Sequence, residues 1–397
     1  MTQTTKPISL QARLSAFLGL SVQIMATVFL ARFTVDTGTR SLYPFIPQIS
    51  AGLGLTVVGF SWLIFLRAIA GLAGPIFGLL ADRYGRRNIM AIGLICQAFG
   101  VAGLALSSGW WAVLPIILFG LSLAAFLPAE QAYVSDRVAY EKRGRALATI
   151  EFSWAMAGIV SLPAIGWLID ASTWRTPFFL LALLSLAGAI LVWLWLPAVE
   201  RHSRLGLNWA GVWAVCRRPN VLAAVGVGLL LFVAVSSFIT LWSIWLSADF
   251  GLEATALGLV ATGIGVAELG GSVLSSLFID RLGKRRGSQL GLGLMTFAFL
   301  LLPLTQTSLS VAVVGLIGLG VINEFTIVSL LPLYSEQAPE ARATVFSLVA
   351  AGISIGAAAG SPITAILWAE VGLWAVCLVA AICLLAALGL IKRFVQD

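Results

Sequence analysis

Apolar runs of about 20 to 30 residues recur along this chain between short charged or turn-rich breaks, and they limit its fold more than any other feature. About 20 apolar residues in a helix match the roughly 30 Å hydrocarbon core of a bilayer. In that core an isolated segment satisfies its backbone N–H and C=O groups only as a helix. The runs place spans at 14–41, 53–81, 88–108, 110–136, 144–169 and 174–196, then at 220–248, 254–279, 287–306, 309–335, 342–368 and 371–391. These twelve occupy about three-quarters of the 397 residues and leave only short stretches between them, so no soluble domain of ordinary size remains. Composition agrees: 60% of residues are hydrophobic and 10% charged, whereas soluble domains carry about 25% charged residues. The expectation is an all-α membrane protein. The first run follows Lys6 and Arg13, is too long for a signal-peptide core and lacks a small-residue cleavage site, so it stays as a span.

Lys and Arg outnumber Asp and Glu by 24 to 17. On a soluble chain that surplus would point to nucleic acid, but here its placement supplies another cause. Short loops rich in Lys and Arg stay in the cytoplasm. With an internal N-terminus, the internal loops hold Arg83, Arg86 and Arg87; Arg137, Lys142, Arg143 and Arg145; Arg201, Arg204, Arg217 and Arg218; and Arg281, Lys284, Arg285 and Arg286. The outward loops hold Arg175 and little else. The basic surplus is a topology signal, both termini are expected in the cytoplasm, and no nucleic-acid partner is expected. Of the four cysteines, Cys96, Cys377 and Cys383 fall in spans and Cys216 in the central internal loop, which reads as apolar packing rather than a disulfide framework.

The chain also repeats itself. Asp82-Arg83-Tyr84-Gly85-Arg86-Arg87 after the second span returns as Asp280-Arg281-Leu282-Gly283-Lys284-Arg285 after the eighth, at an offset of 198. Arg145-Ala146 and Arg342-Ala343 repeat at an offset of 197, and Pro163 and Pro362 at 199. The expected organisation is a six-helix bundle over 1–197, a cytoplasmic linker over 198–219 and a second six-helix bundle over 220–397. Two like halves with all ends on one side are related by an axis along the membrane normal, the arrangement of transporters that rock two bundles around a midplane site.

The stretch Gly78-Leu-Leu-Ala-Asp82-Arg83-Tyr84-Gly85-Arg86-Arg87 resembles the signature of the major facilitator superfamily between its second and third helices. The weaker copy half a chain later, the span count and the linker extend the resemblance over the whole chain. It implies twelve spans in two pseudo-repeats and a cytoplasmic lock made of Gly78, Asp82, Arg83, Gly85, Arg86 and Arg87, with Asp280, Arg281, Gly283, Lys284 and Arg285 as the second copy. It also implies Asp136, at the inner end of span four, as ion-pair partner of Arg86. The residues themselves suggest that Gly78 allows close helix contact and that Asp82 accepts N–H groups from the start of the next helix. Two family patterns are incomplete: the antiporter motif of span five is reduced to Gly158-Ile-Val-Ser-Leu162-Pro163-Ala-Ile-Gly166-Trp167, and Ile116 or Ile117 stands where many relatives carry an arginine in span four.

An ionisable side chain at membrane depth costs roughly 2.5–3.5 kcal/mol, so each needs a partner, a wet cavity or a function. Eight qualify: Arg32, Asp36 and Arg40 in span one, Arg67 in span two, Glu130 in span four, Glu151 in span five, Glu268 in span eight and Glu324 in span ten. Spacing by four puts Arg32, Asp36 and Arg40 on one helical face. They either line the cavity, or Arg32 and Asp36 pair while Arg40 reaches the headgroups. Arg67, about 22 Å along a helix from Asp82, is either a fixed cation for an anionic group or a partner of Asp36 or Glu130. Glu268 and Glu324 find no embedded Lys or Arg in the second half, which suits carboxylates to proton exchange. Glu130 and Glu151 are further candidates, or are hydrated or paired with loop arginines. Trp110, Trp111 and Trp174 read as an interfacial belt. Trp154, Trp242 and Trp245 are cavity candidates or packing residues, and the prolines at 44, 75, 128, 163, 332 and 362 mark bends.

The expected function is secondary transport of a small organic solute by alternating access, coupled to protons and directed outward. The alternative is a transporter or flippase for an anionic amphiphile such as a lysolipid or glycolipid, drawn by Arg32, Arg40 and Arg67. A non-transporting sensor is a third reading. An enzyme is not expected: the one histidine, His202, excludes a multi-histidine metal site, and no phosphate-binding glycine loop is present. No cofactor or metal is expected. The partners are a small-molecule substrate, protons and the lipid of a bacterial cytoplasmic membrane, with the chain acting as a monomer.

Overall fold

The computed structural model describes residues 17, 19–198, 215, 217–338 and 341–395. The side chain of Asp280 and residues His202, Cys216, Arg201 and Arg204 lie outside this set. Among the described residues the chain is helical throughout, with no strand. Ten helices among the described residues are long and apolar enough to cross a membrane. Spans 1 and 2 depart from this pattern for local reasons. Span 1, Val22–Ser41, carries Arg32, Asp36 and Arg40. Span 2 is divided into Val57–Gly71 and Gly74–Tyr84, because Pro75 cannot donate to the ladder and its ring clashes with the preceding turn. Between them a short helix, Ile46–Leu53, meets Val57–Gly71 at 103°.

Span 3 is Arg86–Leu106 and span 4 is Val113–Arg137 with Pro128 inside it. Span 5 runs as Tyr140–Met156, a π-helical turn over Ala157–Ser161, and Leu162–Ala171. Span 6 is Thr176–Trp195. The second half follows as Pro219–Phe250, Ala254–Leu282, Lys284–Leu301, Leu309–Ser335, Arg342–Glu370 and Leu373–Phe394, spans 7 to 12.

In lipid no hydrophobic drive favours helix against helix, so close backbone approach and internal hydrogen bonds hold such bundles. Span 11 packs on span 7 through Gly352, Gly356 and Gly360, spaced by four, where added Cβ atoms would overlap Val225, Leu229 and Val233. Hydroxyls stitch the same seam: Thr240 with Ser361 at 3.0 Å, and Thr364 to Ser237 at 2.9 Å. In the first half, fully buried Gln97 donates to the Thr34 carbonyl at 2.8 Å and to Ser185, and accepts from Ser122, tying spans 1, 3, 4 and 6.

The halves meet at the end opposite the basic loops. Span 5 approaches span 8 along Leu162–Ala171, where Gly166 abuts the Ala254 carbonyl and Gly258 the Leu162 carbonyl. Span 2 packs on span 11 through Val57–Gly71, whereas Gly74–Tyr84 packs on spans 3 and 4. The bundle is thus closed away from the signature loops and splayed beside them. Trp110 and Trp111 are exposed as an interfacial belt requires, but Trp174 is buried, with its ring against Gly52 and edge-on to Phe178 at 6.0 Å.

Candidate functional site

Span 1 presents Arg32, Asp36 and Arg40 on one face at successive turns, and all three are buried. Arg32 serves three carboxylates. Its Nε donates to both Asp36 oxygens at 2.9 and 3.0 Å, Nη1 to Glu130 at 3.1 Å, and Nη2 to Glu151 at 3.1 Å. A guanidinium can do this because its donors form a planar fork. Ser153 of span 5 donates its hydroxyl to Asp36. Glu130 and Glu151 therefore do not pair with loop arginines; span 1 reaches them because spans 4 and 5 pack against it. Glu151 stays half exposed while Glu130 is fully buried.

Arg40 does not reach the headgroups. Its Nη1 lies 2.9 Å from Glu268 of span 8, an ion pair across the two halves. The same guanidinium lies over the Trp154 ring at 4.7 Å. The π-helical turn makes room for it: Gly158 lies against Arg40, and a Cβ there would come within 3.1 Å of Nη2. The second half has no embedded cation of its own, yet Glu268 is paired, because the first half supplies the arginine. Glu324 accepts from Ser272 at 2.9 Å, one turn beyond Glu268 on span 8. The two clusters, on successive turns of span 1, together set Arg32 and Arg40 against Asp36, Glu130, Glu151, Glu268 and Glu324.

Arg67 receives neither proposed partner, since Asp36 and Glu130 both close on Arg32. Its guanidinium lies 5.0 Å from the Phe119 ring centroid, and its buried Nε has no hydrogen-bond partner. A small cavity of about 60 Å³ lies at the join of the halves, lined by Arg40, Tyr43, Trp154, Phe238, Trp242 and Glu268 among others. That is room for a few waters, well short of the roughly 300–1,000 Å³ of drug-sized ligand sites. Trp154 and Trp242 line it, but Trp245 does not: it is fully buried, donates to Asp249 at 2.9 Å and lies edge-on to Phe250.

At the signature loop, Arg86 Nη1 lies 2.6 Å from Asp136 and its Nη2 3.7 Å from Asp82. Gly85 has φ 93° and Gly283 φ 80°, a region that side chains other than hydrogen rarely enter, which accounts for glycine in both loop copies. Two expectations need correction. Gly78 meets nothing within 4 Å, and Asp82 is exposed and caps no backbone N–H, because the loop lies at the splayed end. Arg83 lies over Tyr84, and Arg87 donates to the Leu196 carbonyl at 3.2 Å and lies over Trp193. In the second copy Lys284 pairs with Glu336, Arg285 donates to the Lys392 carbonyl at 2.9 Å, and Arg281 is exposed. Glu336 escaped the sequence reading although it follows Asp136 by 200 positions, which the repeat could have revealed. Ser153 carried no such signal, and Gly158 was marked only as part of the reduced motif of span five, not as a seat for Arg40.

Comparisons with known proteins bear on this geometry. The profile of the family described as Major Facilitator Superfamily matches residues 28–244 and 224–396. The "Multi-drug resistance efflux pump PmrA homolog" of Lactococcus lactis is 26% identical over 306 residues, covering 72% of this chain and 74% of that protein. The MFS-type transporter YwfA of Bacillus subtilis, itself uncharacterised, is 26% identical over 337 residues, covering 81% of this chain and 79% of its own. Among solved structures, a bacterial homolog of the human lysosomal transporter Spinster, inward-facing and unoccupied, superposes with a TM-score of 0.72 at 15% identity, over 94% of this chain and 95% of that one. A D-xylose–proton symporter does so with 0.74 at 17% identity, over 95% and 98%. With its span architecture, its paired signature loops and a profile match along almost its whole length, the chain belongs to the major facilitator superfamily.

Proposed function

We propose that this chain exports a small organic solute across a bacterial cytoplasmic membrane in exchange for protons, by alternating access and as a monomer, with both termini and the signature loops on the cytoplasmic side. One observation carries the reading: around Arg32 within the first half and around Arg40 at the join of the halves, five carboxylates stand against two guanidiniums. Surplus negative charge in a low-dielectric site must be neutralised by protons or by a cationic group of the substrate. Competition between the two is exchange. The aromatic walls of Trp154, Trp242, Tyr43 and Phe238 suit a solute with an apolar or aromatic part, and the naming of several relatives as multidrug efflux pumps supports export.

The test is ethidium efflux from proteoliposomes under an imposed pH gradient. The gradient should accelerate efflux, and Glu268→Gln, Glu324→Gln and Asp36→Asn should each remove the acceleration. Efflux indifferent to the gradient would overturn the coupling. The second reading, an anionic amphiphile such as a lysolipid, is favoured by Arg67, whose buried Nε lacks a partner. Comparing lysophosphatidylglycerol with ethidium by thermal shift separates the two: tighter binding of the lysolipid, lost in Arg67→Gln, supports the second reading, and weaker binding removes it.

A further inference from the structure

The closed end of the molecule contains a contact that neither the signature loops nor the buried charges explain. Asp170, the penultimate residue of span 5, belongs to the first half, and span 8, in the second half, begins at Ala254. The Asp170 carboxylate accepts the backbone N–H of Ala254 at 3.3 Å and that of Thr255 at 2.7 Å. The first N–H groups of a helix have no partner within the helix, and span 8 has no side-chain cap from its own N-cap residue, Glu253. One half therefore caps a helix of the other, with a negative charge at the positive end of the helix dipole. Immediately below, Gly166 and Gly258 bring the two backbones together, so the carboxylate can reach these N–H groups only while the seam is shut. The repeat gives a built-in comparison. Glu370 ends span 11 at an offset of 200 from Asp170, but span 2 is capped by its own Thr56, whose hydroxyl accepts the Gly59 N–H at 3.0 Å.

We infer that Asp170 is a gating residue: it latches the end opposite the basic loops along the seam of spans 5 and 8, and that end opens only when the carboxylate releases the start of span 8. The inference rests on alternating access and is independent of the coupling ion.

Spin labels at Ser172 and Glu253, in a chain with its four native cysteines replaced by serine, report the width of the seam in liposomes by electron–electron double resonance. Asp170→Ala should raise the ratio of the long-distance to the short-distance population about fivefold. Glu370→Ala should leave it unchanged. Thr255→Pro removes the closer donor from the other side, at a first-turn position where helices accept proline. It should widen the seam in the same direction and add little to Asp170→Ala, so the latch remains testable if one variant fails to insert. A longer population in the wild type that neither variant enlarges, or one that Glu370→Ala enlarges equally, overturns the latch alone. A single short distance in every variant, with and without ethidium, overturns alternating access as well.

Discussion

Removing the Arg32 guanidinium would leave Asp36, Glu130 and Glu151 facing one another without a counter-charge. Breaking a buried pair by deleting one partner costs about 3–5 kcal/mol. Arg32→Gln should therefore lower the thermal midpoint in detergent sharply, and adding Glu130→Gln should restore part of it. Arg32→Lys should restore less than its charge implies, because an ammonium cannot fork to three carboxylates. At the loop copies, Gly85→Ala and Gly283→Ala should each cost about 1–3 kcal/mol through backbone strain. Their effects on the midpoint should add, because they lie in different halves. The Arg32–Asp36 pair was legible in the sequence, since spacing by four sets two side chains on one face. Its third and fourth members were not, because Glu130 and Glu151 come from other spans and only packing orients them.

Whole spans were legible because a bilayer demands long apolar runs; their interruptions were not. The break at Pro75 had a sequence cue, whereas the π-helical turn at Ala157–Ser161 needs an extra residue per turn that no periodicity announces. At this scale the seam of spans 7 and 11 is the most exacting. Gly356→Ala sets a Cβ against the Leu229 carbonyl, backbone that cannot step aside. The expected result is a loss of about 1–3 kcal/mol or more and a smaller monodisperse fraction on size exclusion. Gly78→Ala, which meets nothing within 4 Å, should leave both measures unchanged.

Across the whole molecule, the Arg86–Asp136 and Lys284–Glu336 pairs sit at the splayed end, each within a single half. They are partly exposed, so their neutralisation should cost folding no more than about 1 kcal/mol. Asp136→Asn combined with Glu336→Gln should leave the melting midpoint nearly unchanged while transport slows several-fold, which separates a role in the cycle from a role in the fold. An equal fall in both would remove the lock. The sequence by itself determined the membrane class, the span architecture, the repeat and the identity of every embedded charge, because hydrophobic length, helical spacing and offset are properties of a single line of residues. Only the tertiary structure decided that Glu268 is paired, that Arg67 pairs with neither Asp36 nor Glu130, that Trp245 lies in the core and that one end is shut. These depend on which helix faces meet, within the first half for Arg67 and across the halves for Arg40 and Glu268, which lie more than two hundred positions apart and meet only through packing.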